Sequence, residues 1–244
     1  MPASSNFQEA IREAQSSALV GPNVVNKALP YVGGGMVLTA GGVMGGLALL
    51  GSNPAAFMPL FWVALIGNFI LFFVAQNVAM KANNSTALPL LAAYSLITGF
   101  TLSGLVAMAI GTAGIGAIGT AALATGITFV AASVMGRRMS DSVGQALSGV
   151  VGLGIIGLVI AMLVQVVGGI FVPGFGMGGM ELLIAGFGTV IFVGAAFVDF
   201  YTMPRTYSDD QYLAGALGMY LTYINLFIFI LRLVIALQGG GRRD

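Results

Sequence analysis

Between Lys27 and Lys81, and again between Lys81 and Arg137, the chain carries no Asp, Glu, Lys or Arg. Each run is long enough for two membrane crossings of roughly 20 residues. A soluble domain, with about a quarter of its residues charged, could not keep such runs wet. The whole chain follows the same pattern, with 58% hydrophobic and 7% charged residues. These features specify an all-α integral membrane protein, and the polar breaks divide it into spans.

Gly51-Ser52-Asn53-Pro54 is turn chemistry and separates a first helix, about Tyr31 to Leu50, from a second, about Phe57 to Met80. Lys81 to Ser85 is the next polar turn. The third helix is expected at about Ala87 to Ile110, with Pro89 in its first turn, and the fourth at about Ala117 to Met135, after the Gly111–Gly116 turn. Arg137, Arg138 and Asp141 form a charged loop. The fifth helix follows at about Val143 to Val167, the sixth at about Met180 to Tyr201 and the seventh at about Tyr212 to Leu237. Residues 1–30 form a tail before the seven-helix domain at 31–238, and residues 239–244 form a polar tail after it.

Lys27, Lys81, Arg137-Arg138 and Arg205 fall in alternate connections. The positive-inside rule places these and the N-terminus in the cytoplasm. A full seventh crossing is expected from its length, although it puts Arg242-Arg243 on the other side. No signal-peptide core lies in residues 1–30. There Phe7, Ala10, Ile11, Ala14 and Ala18 have the spacing of a surface amphipathic helix, or belong to a frayed tail. With no targeting segment, a cell membrane, plasma or inner, is the expected location.

Composition also excludes functions. There is no cysteine and no histidine. Disulfides, thiolate ligation and Ser-His catalysis are therefore excluded. A net charge of +1 argues against nucleic acid as a partner. G-x-G-x-x-G occurs from Gly114, Gly152 and Gly174, but without the strand a dinucleotide site needs. The chain reads as a non-enzyme without cofactor or metal centre. Gly41/Gly45, Gly42/Gly46 and Gly149/Gly152/Gly157 are spaced for close helix packing in lipid.

The stretch from Glu181 to Gln238 departs from the rule that charge stays between spans. Glu181, Ala185, Gly188, Phe192, Ala195 and Asp199 share one face of the sixth helix, at 100° per residue. Gln211, Gly215, Gly218, Thr222, Asn225, Phe229, Arg232 and Ala236 share one face of the seventh. A polar stripe in a membrane helix turns toward protein or water, so the last helix is expected at the centre of the bundle. Asp199 leads the functional candidates. Arg232 either lines the core or snorkels to the interface, and Asn225 and Thr222 either line a path or bond neighbouring helices.

Tyr220-Leu221-Thr222-Tyr223-Ile224-Asn225-Leu226-Phe227, followed by Leu231-Arg232, closely resembles the last-helix signature of the Bax inhibitor family. Ser95 to Leu102, Gly136-Arg137-Arg138 with Asp141, and Ile191 to Gly194 running into Asp199 also resemble that family. The resemblance implies a seven-helix bundle with a central last helix and a proton-sensitive calcium leak. It implies a pair of hydrogen-bonded aspartates on the last two helices, and a basic latch at the end of the second. Asp199 matches the first aspartate and Lys81 the latch. Thr222 stands where the second aspartate is expected. Thr222 can donate a hydrogen bond but cannot titrate, so the coupled ionisation of two carboxylates is lost, and weak or shifted pH dependence is expected. Calcium is the implied permeant. The alternative is a non-transporting regulator of a membrane-bound quality-control protease.

Overall fold

The computed structural model describes residues 19–240 apart from 173, 174, 176 and 177. The expected N-terminal amphipathic helix and the Arg242-Arg243 tail lie outside the described residues. Seven helices are long and apolar enough to cross a membrane. They are α1 (Val24–Ser52), α2 (Pro54–Met80), α3 (Asn84–Ala113), α4 (Ile115–Met135), α5 (Asp141–Phe171), α6 (Gly179–Thr206) and α7 (Tyr212–Gly240). No strand occurs among the described residues.

Each helix exceeds its expected bounds, and at the start of α1 packing carries it past the local break signals. The first begins at Val24, not Tyr31, and runs through Pro30. Val24, Val25 and Ala28 are almost fully buried there, and that burial offsets the one ladder bond Pro30 removes. The sixth continues through Pro204 to Thr206, and the Pro204 carbonyl accepts from the Gly21 amide at 3.0 Å. Only Gly114, at φ 77°, breaks the chain between α3 and α4; Gly111 to Ala113 remain helical. Asn53 and Asn83 cap the N-termini of α2 and α3 by accepting from the amides of Ala56 and Thr86, satisfying donors that the first turn leaves free.

α7 is the central helix. It packs against α1, α2, α3, α4 and α6. Leu213, Ala214, Ala216, Leu217, Met219 and Tyr220 are at most 1% exposed; successive residues around the helix are thus covered on every side. α2 and α5 form the outside, with Trp62, Ile66, Phe69 and Phe73 on one and Val150, Leu153, Ile156 and Leu163 on the other exposed. Such apolar belts belong in lipid.

α1 and α3 meet backbone to backbone. A Cβ at Gly42 would overlap the Leu96 carbonyl, and one at Gly99 the Thr39 carbonyl. Gly46 lies against Ser103 in the same way. Gly45 faces open space and Gly41 has only Leu96 nearby at 3.9 Å, so of the two expected glycine pairs only Gly42/Gly46 packs. Gly149, Gly152 and Gly157 also face open space; on α5 it is Gly144 and Gly154 that receive Tyr201 and Ile191.

The end of the bundle bearing the basic connections is clasped by the turn between α6 and α7. The Asp209 carboxylate accepts from the Asn23 amide and side chain at 2.9 and 3.1 Å. Lys27 Nζ donates to the Asp209 carbonyl. Gln211 donates to the Met80 carbonyl at 2.6 Å, and Asn84 to the Asp210 carbonyl at 2.9 Å. Arg205 pairs with Asp141 at 3.2 Å while lying over the Tyr201 ring, which ties the start of α5 to the end of α6.

Candidate functional site: the seam between α6 and α7

The two polar faces expected on α6 and α7 meet along their length. At the end away from the basic connections, Arg232 Nε and Nη2 donate to the two Glu181 carboxylate oxygens at 2.7 and 2.8 Å. Gln165 of α5 donates to the same carboxylate at 2.8 Å. This two-pronged geometry is the strong form of an arginine–carboxylate pair. Arg232 therefore does not snorkel outward alone. A cavity of about 420 Å³ walled by Leu105, Met108, Phe175 and Ile235 opens beside the pair.

In the middle of the seam, the Phe192 and Phe229 rings stack with centroids 5.5 Å apart. Gly188 leaves the space that Phe229 fills, since a Cβ there would strike its ring. An apolar stacked plug thus separates the charged pair from the other end.

Toward the basic end, the Thr222 hydroxyl lies within hydrogen-bonding reach of the Asp199 carboxylate. Thr222 is 9% exposed. Asp199 Oδ2 is buried without a hydrogen-bond partner. Tyr207, just past the end of α6, feels that carboxylate and hydrogen-bonds with Gln76 of α2. Burial first, and then the Asp199 charge, raise the Tyr207 hydroxyl above its ordinary value, while the bond with Gln76 acts the other way. Tyr207 is therefore neutral at neutral pH, and its oxygen accepts from the Gln76 amide, whose own oxygen has no partner.

Lys81 does not join this group. It is exposed at the end of α2, and no ion pair to Asp199 occurs among the described residues. A lysine at the last residue of a span reaches water more cheaply than it reaches a buried acid. Asn225 does not bond a neighbouring helix: its Nδ2 donates to the Leu221 carbonyl of its own helix at 2.8 Å.

Three participants were missed in the sequence. Asn68, Gln76 and Tyr207 stand near or within this polar line, and Asn68 Nδ2 donates to Thr98 Oγ1 at 2.8 Å. The available signal was three amides, Asn68, Gln76 and Asn77, in an otherwise apolar, uncharged span. The hydroxyl cluster beside them was also missed. Thr39 Oγ1 and Tyr220 OH are 2.6 Å apart, and Thr39 also reaches the Gly35 and Ser95 carbonyls.

A seven-helix membrane bundle wound on a buried last helix, with one paired acid, Glu181, and one acid without a charge partner, Asp199, in the seam between its last two helices, is the class this geometry defines. Residues 21–239 match the family model described as Inhibitor of apoptosis-promoting Bax1. The chain belongs to the Bax inhibitor family. A Lactococcus lactis protein, YrjE, is 31% identical over 205 residues, covering 80% of this chain and 79% of its own length. An uncharacterized membrane protein of Streptococcus pyogenes serotype M1 is 32% identical over 76% of each chain. Bax inhibitor 1 of Schizosaccharomyces pombe is 38% identical over 61 residues, which is 25% of this chain and 23% of its own length.

Proposed function

We propose that this protein is a slow calcium leak in a bacterial cell membrane, its N-terminus cytoplasmic, with pH control weakened relative to a two-aspartate site. The observation that carries the reading is Asp199: a carboxylate in the α6–α7 seam with Thr222 opposite and its Oδ2 unpartnered. A buried acid costs several kcal/mol in a span and is kept where a path or a switch uses it. The stacked Phe192–Phe229 pair and the Glu181–Arg232 bridge close the seam beyond it, which suits low flux. No ring of carboxylates of the kind selective channels use lines the bundle among the described residues.

With Thr222 in place, no second carboxylate stands beside Asp199 to couple with it; the other acid of the seam, Glu181, is paired with Arg232 at the far end. Tyr207 is the other titratable neighbour, and it stays neutral at neutral pH. Calcium flux into liposomes should therefore vary gently with pH in the native chain. It should steepen in Thr222→Asp and flatten further in Asp199→Asn. A steep acid-to-neutral switch in the native chain, or an unchanged profile in Thr222→Asp, sinks the weakened-gating reading. No flux from purified protein sinks the leak itself and favours a regulator of a membrane protease.

A further inference from the structure

Of the four buried side-chain polar atoms without a hydrogen-bond partner among the described residues, three are Asn68 Oδ1, Gln76 Oε1 and Asp199 Oδ2. The fourth, Asn84 Oδ1, sits in the clasp. Leaving such an atom unpaired costs about 1–3 kcal/mol, so two on α2 and one on α6, the last linked to Gln76 through Tyr207, call for an explanation. Asn68 and Gln76 both turn inward on α2, eight residues and so about 12 Å apart along its axis. The lipid side of the same helix exposes Ile66, Phe69 and Phe73, with Asn77 exposed only near the basic end. Each amide is anchored through a neighbour: Asn68 through Thr98 on α3, and Gln76 through Tyr207 at the turn before α7. The anchoring holds both side chains in place while leaving their oxygens unused.

We infer that Asn68, Gln76 and Asp199 are oxygen ligands for a permeating cation, in a file that runs along the inner side of α2. This rests on the leak reading above, and it names the wall of the path. Amide carbonyls and a carboxylate are hard oxygen donors of the kind calcium takes. A single negative charge with two neutral oxygens holds such an ion weakly, which lets it leave again. Gln76 and Asp199 flank Tyr207 near the basic end. Asn68 lies about two turns deeper, beside the hydroxyls of Thr98, Tyr94 and Tyr220.

The chain has no cysteine, so single cysteines can be read without background. Asn68→Cys, Gln76→Cys and the lipid-facing Phe69→Cys would be placed in vesicles and treated with a membrane-impermeant cationic thiosulfonate, with and without calcium. Thiols react as thiolates, which form in water and not in lipid, so modification at 68 and 76 should be at least about tenfold faster than at 69. Calcium should slow it, and Asp199→Asn should remove that protection. Thr98→Cys reports on the same file should Asn68→Cys fail to fold. Rates equal to that of Phe69→Cys, or indifferent to calcium, overturn the inference. Native-chain flux measured in parallel separates the two ideas. Flux without labelling leaves the leak and removes this path. Calcium-protected labelling without flux keeps the ligands and removes the leak.

Discussion

The α1–α3 seam and the α6–α7 seam run side by side against the same central helix and are built of opposite materials. The first is neutral and closed. Gly42 and Gly99 bring the two backbones into contact, and the hydroxyls nearby find partners: Thr39 with Tyr220, and Ser95 with the Leu91 carbonyl at 2.9 Å. The second is held by bulky or charged side chains, and one of its polar atoms, Asp199 Oδ2, is left unsatisfied. Without a hydrophobic drive between helices in lipid, packing of small residues fixes the scaffold. That rigidity lets the neighbouring seam carry an acid that adds nothing to stability. The difference separates a seam fixed by backbone contact from one that keeps a buried, unsatisfied acid.

The largest effect should come from overfilling the supporting seam. Gly42→Leu forces α1 off α3 and should abolish recovery of monodisperse folded protein in detergent, whereas Gly45→Ala, facing open space, should leave unfolding within about 0.5 kcal/mol of native. Equal tolerance at both positions would break the distinction between the seams.

Next comes the bridge. Arg232→Ala leaves the Glu181 carboxylate without its charge partner. A fully buried pair broken this way costs about 3–5 kcal/mol. Exposures of 16% and 28% for the two side chains reduce that, and about 2 kcal/mol is expected by reversible unfolding in mixed micelles. The exchange Glu181→Arg with Arg232→Glu should recover part of the loss, and an unaffected Arg232→Ala would mark the bridge as ornamental.

The smallest effect is expected at Tyr220→Phe. It removes one hydroxyl from the neutral cluster, but Thr39 keeps its bonds to the Gly35 and Ser95 carbonyls. A loss of about 1 kcal/mol follows, with no change in the pH profile of flux. A changed profile would mean that the cluster belongs to the path and not to the scaffold.

Much of the fold was legible because lipid tolerates few solutions. Uncharged runs gave the spans, and the helical period gave the two faces that meet from Glu181–Arg232 through Phe192–Phe229 to Asp199–Thr222. Within the seam the reading was partial. Arg232 and Glu181 were each visible, but a helix period does not say which face opposes which. The family resemblance puts the basic latch at Lys81, but its side chain is exposed and goes to water. Asn225 reads from the sequence either as lining a path or as an interhelical bond, and it spends its amide on its own helix. Asn68 and Gln76 escaped notice because one amide in a span carries no charge and breaks no pattern.

The sequence by itself determined that this chain lives in a membrane and crosses it with seven helices. Those conclusions follow from transfer cost and helical period, which are properties of single segments. Tertiary structure alone decided that Gly42 packs while Gly45 does not, that Glu181 answers Arg232, and that two amides of α2 hold their oxygens unpaired. Such outcomes depend on how helices are rotated about their axes and set against one another. Small differences in close packing fix those angles, and they are not written in any one stretch of the chain.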